Sequence, residues 1–305
     1  MIDRRSLLRG SAALAGMTMV GPRPLSAEPL GNPLALPPGF QMWAVQDELA
    51  RDFDGTLMRM HALGYRRIEA AGWQDLAPED FGARVRAAGL DPVSCHFSMR
   101  DLMEEYQPKL DQAQAVGVRH FVASSPSSRA AFDPALDWIR ASAAAMTLAD
   151  WRENALRMNE IGAAAKAMGM RFAYHNHPAE FLRYDGVLAF HELLRLTDPA
   201  LVAFELDLGW VAAAGLDPAE VIDHHAERIE LLHIKDIATA QRTPHTIADD
   251  LTTVHIGSGT IDWQAVLAAA RRAPIASWFV EQEAPFTRPV IDQMGESLAF
   301  LREVI

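Results

Sequence analysis

One cysteine in 305 residues, Cys95, excludes an internal disulfide and every zinc site built on paired thiolates. Any metal must be held by His, Asp and Glu, and Cys95 itself is expected to be a buried bystander. No stretch of the chain supplies the ~18 uninterrupted apolar residues that a membrane span needs. No glycine-rich dinucleotide fingerprint follows an apolar run, which leaves a doubly wound open sheet without its usual support. No Gly-rich or Arg/Ser-rich phosphate cradle adjoins the runs either, so an unphosphorylated ligand is favoured. Positive charge is scarce: 28 Lys and Arg face 40 Asp and Glu, for a net charge of -12. Such a surface repels phosphate backbones and argues against a nucleic-acid partner. It is compatible with a small, neutral, sugar-like molecule.

The first 27 residues stand apart. Arg4-Arg5-Ser6-Leu7-Leu8 precedes the weakly apolar "SAALAGMTMVG", and "PLSA" follows before Glu28. That is the layout of a twin-arginine export signal with cleavage after Ala27. Its removal takes four arginines and one aspartate from the chain and brings the net charge from -12 to about -15. The expectation is a mature protein, residues 28–305, that passes through the twin-arginine machinery, reaches the periplasm and keeps no membrane anchor. The route carries folded proteins, so a metal can be acquired before export, which is a reason to look for one.

Eight short apolar runs alternate with helix-like segments, and no Gly/Ser linker or charge block divides them. They are "FQMWAVQ" from Phe40, "RRIEAAG" from Arg66, "DPVSCHF" from Asp91, "RHFVASS" from Arg119, "RFAYHNH" from Arg171, "VAFELDLG" from Val202, "IELLHIKD" from Ile229 and "SWFVEQE" from Ser277. Between them lie segments such as 148–168 and 286–304, with apolar residues recurring at three and four. Eight strand-helix units in ~250 residues is the arithmetic of one α/β domain, a (β/α)8 TIM barrel.

Polar residues gather at one end of these runs: Glu69, His96, His175 and His177, Glu205 and Asp207, His233 and Lys235, Glu281 and Glu283. In a parallel barrel that end is where chemistry is done. His175, Asp207, His233 and Glu281 fall on four consecutive runs at intervals of 32, 26 and 48 residues, the last enlarged by an insertion over 237–260. Two imidazoles and two carboxylates make a mixed site for one divalent ion, Mn, Co, Fe or Zn; Mg, which prefers oxygen, fits less well.

"YHNHPAEF", "ELDLGW", "GLDP", "LLHIKD", "IGSGTIDW" and "FVEQE", in that order, resemble the sugar phosphate isomerase/epimerase family of xylose-isomerase-like barrels, and particularly its inosose-dehydratase-like branch. The likeness runs over about residues 38–304. It implies a divalent metal that binds two oxygens of a keto or hydroxy sugar and stabilises the enediolate formed when a base removes the α-proton. It also implies that Asp207, His233 and Glu281 are ligands, and that Glu281 doubles as acid/base. The departure is His175, which stands where two-glutamate epimerases of the family carry a ligand glutamate. Stereoinversion by a symmetric glutamate pair is then disfavoured, whereas isomerisation, dehydration or β-elimination needs only one base and a different acid.

Strand alternation places His175 and His177 on one side and Asn176 on the other, so His177 is the alternative ligand or a hydrogen-bonding support for one. Glu180 is a second such support. Lys235, beside a cation, is expected to have a lowered pKa and to hold or deprotonate a substrate hydroxyl, or else to form a salt bridge with Glu205 or Glu283. His96 is a candidate proton donor to a leaving hydroxyl. Glu69 is expected to bind substrate hydroxyls or cap a loop, and Trp43 and Trp210 to wall a sugar ring or pack the rim. A sugar-binding protein without turnover is the alternative function, and a homo-oligomer is compatible with the sequence.

Overall fold

A computed structural model describes residues 35–304. The export signal expected over 1–27 lies outside the described residues. Eight parallel strands close in chain order: β1 (Gly39–Gln41), β2 (Arg67–Ala71), β3 (Asp91–Phe97), β4 (His120–Ala123), β5 (Arg171–His175), β6 (Val202–Asp207), β7 (Ile229–Ile234) and β8 (Ser277–Val280), with β8 paired to β1. The closed barrel excludes the open-sheet alternative.

Strand alternation divides the core into two. In β6 the outward residues Val202, Phe204 and Leu206 join the large apolar layer beneath the helices, while Ala203, Glu205 and Asp207 alternate with them. Val93, Val122, Ala173, Ala203, Leu231 and Phe279 form a separate cluster, the plug of a barrel interior packed in layers. Moving two residues along a strand keeps the facing and climbs one layer. From Ala173, Ala203, Leu231 and Phe279 that step leads to His175, Glu205, His233 and Glu281. A second step leads to His177, Asp207, Lys235 and Glu283. An apolar floor thus carries two polar storeys.

The outer helices follow from apolar spacing. Leu148–Ala167 is opened by a capping box between Thr147 and Asp150 and buries Trp151, Ala155, Met158, Ile161 and Ala165. The last helix spans Val290–Val304. Two of the expected strands are shorter than the apolar runs suggested. Strand β1 stops at Gln41, where the Gln41 side chain caps a tight helical turn over Met42–Val45, and β5 stops at His175, before Pro178 opens the turn Pro178–Phe181. The insertion after β7 pairs Asp236–Ile237 with Thr253–Val254 antiparallel. It and the segment between β4 and the Leu148–Ala167 helix rise beside the C-terminal face.

Candidate metal centre and active site

At the C-terminal end of the strands lies a cavity of about 960 Å³. Its floor includes His96, His175, His177, Trp210 and Glu281, and its rim includes Trp43 and Trp138. Two groups of potential metal donors meet here, each with ligand atoms within 4.8 Å of one another: His96, His175, Glu205 and His233, and His175, Asp207, His233 and Glu281. They share two imidazoles and differ in depth.

The hydrogen bonds favour the second group as the metal-holding set. His233 turns Nδ1 toward Glu281 Oε2 at 2.8 Å and Asp207 Oδ2 at 3.8 Å, while its Nε2 is held 2.6 Å from Glu69 Oε1. An imidazole ligand characteristically has its other nitrogen fixed by a carboxylate in this way. Glu69 is itself fully engaged: Gln41 Nε2 donates to it at 2.7 Å, Ser94 Oγ at 2.6 Å, and His96 Nε2 stands 2.8 Å away. Glu205 is occupied by His96 Nε2 at 2.7 Å, with His175 Nδ1 at 3.4 Å. The outer set retains an unspent oxygen: among the described residues Asp207 Oδ2 is buried without a hydrogen-bond partner, as are Glu205 Oε1 and His175 Nδ1, the nitrogen that faces Glu205 while Nε2 faces Asp207 at 4.0 Å. An unpaired Asp207 oxygen beside the His233–Glu281 pair and the His175 imidazole makes a set of two imidazoles and two carboxylates whose chemistry fits a divalent transition metal.

Lys235 supplies a cation at the same place. Its Nζ lies 3.0 Å from Asp207 Oδ2, outside hydrogen-bonding geometry, 3.0 Å from Glu281 Oε2 and 2.7 Å from Glu283 Oε1. It also sits 4.1 Å above the Trp210 ring. A Cβ on Gly209 would meet the Lys235 side chain at 2.6 Å, so the glycine of "ELDLGW" makes room for this stem.

Burial and charge set the protonation states. Burial opposes ionisation of Glu281, but Lys235 and His233 outweigh it and hold the carboxyl well below its usual range. For His96 burial likewise opposes the charge, and Glu69 and Glu205 overcome it, raising the imidazole to about 9. Burial pushes Glu205 up to about 7, helped by Glu69, and Asp207 up to about 6. Burial, reinforced by neighbouring cations, keeps His175 and His177 well below the ordinary histidine value. In the metal-free site the carboxylates thus favour the charged form of His96, while burial favours the neutral forms of His175 and His177.

The opening of the "HNH" cluster is now legible. His175 enters the four-donor group. Asn176 clamps the neighbouring strand, its Oδ1 accepting from the Asp207 N–H at 3.0 Å and its Nδ2 lying 3.4 Å from the Asp207 carbonyl. His177 stands in neither donor group and lines the cavity beside His175, ring centroids 4.9 Å apart. Glu180 fixes that turn, accepting from Tyr174 Oη at 2.5 Å and from the His177 N–H at 2.9 Å.

The geometry places three of the expected site residues. Lys235 forms the expected salt bridge with Glu283, and without a metal Asp207, Glu281 and Glu283 outweigh burial and raise its pKa, so the ammonium is retained in the metal-free site. Glu69 is fully buried against His96 and His233 and is not among the residues that line the cavity. Trp210 reaches the cavity only as a largely buried surface under Lys235, whereas Trp43 is half exposed on the rim. Cys95 is buried as expected. Gln41 and Ser94 as hydrogen-bonding supports, and Trp138 on the rim, had no distinguishing signal, and Glu205 was marked as a strand-end acid without its role. Gln41 and Trp138 lie off the pattern of strand-end acids and histidines, and Glu205 became meaningful only when its partner was known to be His96.

Residues 57–304 match the family described as Xylose isomerase-like TIM barrel. Among curated proteins the chain is similar to inosose dehydratase of Geobacillus kaustophilus, 23% identical over 192 residues, which are 60% of this chain and 62% of that protein. It is also similar to inosose dehydratase of Clostridium tetani, 34% identical over 91 residues and 29% of each chain. The chain thus spans less than two thirds of the length of these curated relatives. Among solved structures, a sugar phosphate isomerase/epimerase of Parabacteroides distasonis superposes with a TM-score of 0.70, at 24% identity over 87% of this chain and 93% of that one. The IOLI protein, solved with a zinc atom bound, gives a TM-score of 0.64 at 15% identity, over 88% and 98%. At these identities the structural likeness concerns the fold.

Proposed function

Because this chain belongs to the xylose isomerase-like TIM barrel family, we propose that it is a metal-dependent enzyme that removes a proton next to the ketone of an unphosphorylated keto-sugar, inosose or keto-glycoside. The observation that carries this reading is the meeting of two imidazoles and two carboxylates, ligand atoms within 4.8 Å, at the floor of a large cavity. His175, Asp207, His233 and Glu281 would hold one divalent ion of the Mn, Co, Fe or Zn type, whose contribution when bound is Lewis-acid polarisation of the substrate ketone.

The rest of the chemistry belongs to the chain. Glu281, held ionised, takes the α-proton, and the C–H electrons pass toward the ketone. In isomerisation the α-hydroxyl gives up its proton to the former ketone oxygen and becomes the new carbonyl, while Glu281 returns the proton it took to the former ketone carbon. In elimination those electrons expel an oxygen at the β-carbon, and the charged His96 gives that oxygen its proton, leaving an unsaturated ketone and water or an alcohol. The inosose dehydratases among the relatives support elimination, as does a fifth strand with an imidazole in place of a second glutamate. His177, neutral and at the wall, hydrogen-bonds a substrate hydroxyl. Lys235 neutralises the Asp207 and Glu281 carboxylates while the site holds no metal.

The test is deuterium wash-in from D2O at the carbon α to the ketone. Wild type should exchange; Glu281→Gln should still take up metal but exchange about 100-fold more slowly. His96→Asn should retain exchange and lose elimination by about 100-fold. Exchange at the wild-type rate in Glu281→Gln overturns the assignment of the base. Absence of exchange in the wild type with every keto-sugar and inosose leaves a sugar-binding protein.

The site of action is proposed to be the periplasm, reached in the folded state. Support comes from Arg4-Arg5 ahead of a weakly apolar stretch and a small-residue cleavage site at Ala27.

A further inference from the structure

We infer that the substrate carries a second ring, glycosidically joined to the one that reacts, and that Trp138 and Trp43 form the subsite that receives it. The inference rests on the reading that the site acts on a keto-sugar. Its own support lies at the rim.

Trp138 and Trp43 are 46% and 50% exposed, and both line the cavity. Single exposed apolar side chains are ordinary, but large aromatic faces gathered on one opening mark a place where something binds. The backbone that carries each indole is fixed. Trp138 begins the helix Trp138–Ala145, whose start is capped by the Asp137 side chain. Arg140, one turn on, donates to the Ala248 carbonyl at 2.6 Å and ties this helix to the insertion after β7. The main chain at Trp43 is fixed by Gln41, whose side-chain oxygen accepts from the Trp43 backbone N–H at 3.0 Å while its amide nitrogen donates to Glu69. The turn that carries Trp43 is thus held by the same glutamine that supports the Glu69 carboxylate behind His233.

A file of rings leads outward from the floor. The centroid of His175 is 4.9 Å from that of His177, and His177 is 4.6 Å from Trp138, edge to face. A ligand seated against His175 and extended along this wall meets the open face of Trp138. The cavity volume of about 960 Å³ lies at the top of the roughly 300–1,000 Å³ usual for drug-sized ligands and exceeds what one hexose ring fills. Asp101, Asp249 and Thr252 stand among the lining residues near the opening, and give hydroxyl partners to a second ring without closing the pocket. A sugar ring and an aryl ring share the chemistry required, a flat apolar face that stacks on indole, and the experiment separates them.

The probes are 3-keto-glucose, its 4-nitrophenyl glycoside and 3-keto-cellobiose, each titrated into the metal-loaded full-length mature protein by calorimetry. At least one two-ring probe should bind about tenfold more tightly than 3-keto-glucose. A gain with the nitrophenyl glycoside alone identifies an aryl occupant, and a gain with 3-keto-cellobiose a sugar. In Trp138→Ala the ratio of two-ring to one-ring affinity should fall to about one, and in Trp138→Phe, which keeps a ring face, much of it should return. Equal affinity for all three probes, no binding of any, or an unchanged ratio in Trp138→Ala overturns the inference. Deuterium exchange into 3-keto-glucose is recorded in parallel: its failure strikes the proposed reaction, whereas failure of the affinity ratio with exchange intact strikes the second-ring subsite alone.

Discussion

At the scale of single residues, Lys235 is the side chain whose role shifts most between sequence and structure. Beside a cation its ammonium would be expected to lose its proton. In the folded chain three carboxylates surround it, and its Nζ stands 3.0 Å from both Asp207 and Glu281. It therefore neutralises the very oxygens that a divalent ion would use, and the two cations compete for them. Lys235→Met should tighten binding of Mn or Zn by about tenfold, since the bound ion no longer displaces an ammonium, and should lower the melting temperature of the metal-free protein. Calorimetric titration and thermal melts measure the two effects, and a Lys235→Met variant that binds metal more weakly than wild type would contradict the competition. His175, Asp207, His233 and Glu281 could be picked out beforehand because acids and imidazoles at successive strand ends are rare in an apolar run. Glu69 could be singled out as polar but not given a depth, because the pleat says which face a side chain takes and not which neighbours have already used its oxygens.

At the scale of elements, the motifs "HIKD" and "IGSGTIDW" explain each other. Asp236 is buried, and its Oδ1 accepts from the N–H groups of Ile237, Thr260 and Ile261 at 3.0, 3.1 and 3.3 Å. Its Oδ2 accepts from the N–H groups of Gly257 and Gly259 and from the Trp263 indole at 3.0, 3.2 and 3.0 Å. One carboxylate thereby gathers the loop that returns the chain from the insertion to the helix Trp263–Ala270. A Cβ on Gly259 would meet Asp236 Oδ1 at 2.1 Å, so the glycine permits the approach. The aspartate of "HIKD" is structural, although it lies one residue from Lys235. Asp236→Asn turns an amide N–H₂ against three donors and should cost about 3 kcal/mol of stability in urea denaturation; a loss below about 1 kcal/mol would show that the loop is held by other contacts. The barrel itself was readable because eight apolar runs recur at a steady interval. The ends of β1 and β5 were not, since Gln41 and Asn176 spend their side chains on turn and neighbouring strand, which periodicity does not register.

At the scale of the whole molecule, the order of the layers accounts for the placement of function. An apolar plug closes the barrel below, two polar storeys stand on it, and the segments between β4 and β5 and after β7 raise walls around them. An acidic chain with net charge -12 and a buried site of imidazoles and carboxylates suits a neutral ligand drawn in by shape and hydrogen bonds rather than by charge. Export belongs to this scale as well. If Arg4 and Arg5 form the signal, replacing both with lysine should leave the uncleaved precursor in the cytoplasm, as fractionation and N-terminal sequencing would show; unchanged delivery to the periplasm would point to another route. The central claim is that His175, Asp207, His233 and Glu281 together hold one metal. Elemental analysis of the purified protein, beside Asp207→Ala and His233→Ala variants shown to be folded by circular dichroism, tests it most directly. The account predicts about one divalent transition metal per wild-type chain and an emptied site in both variants, and full occupancy in either variant, or a wild type that takes up no divalent metal, would contradict it.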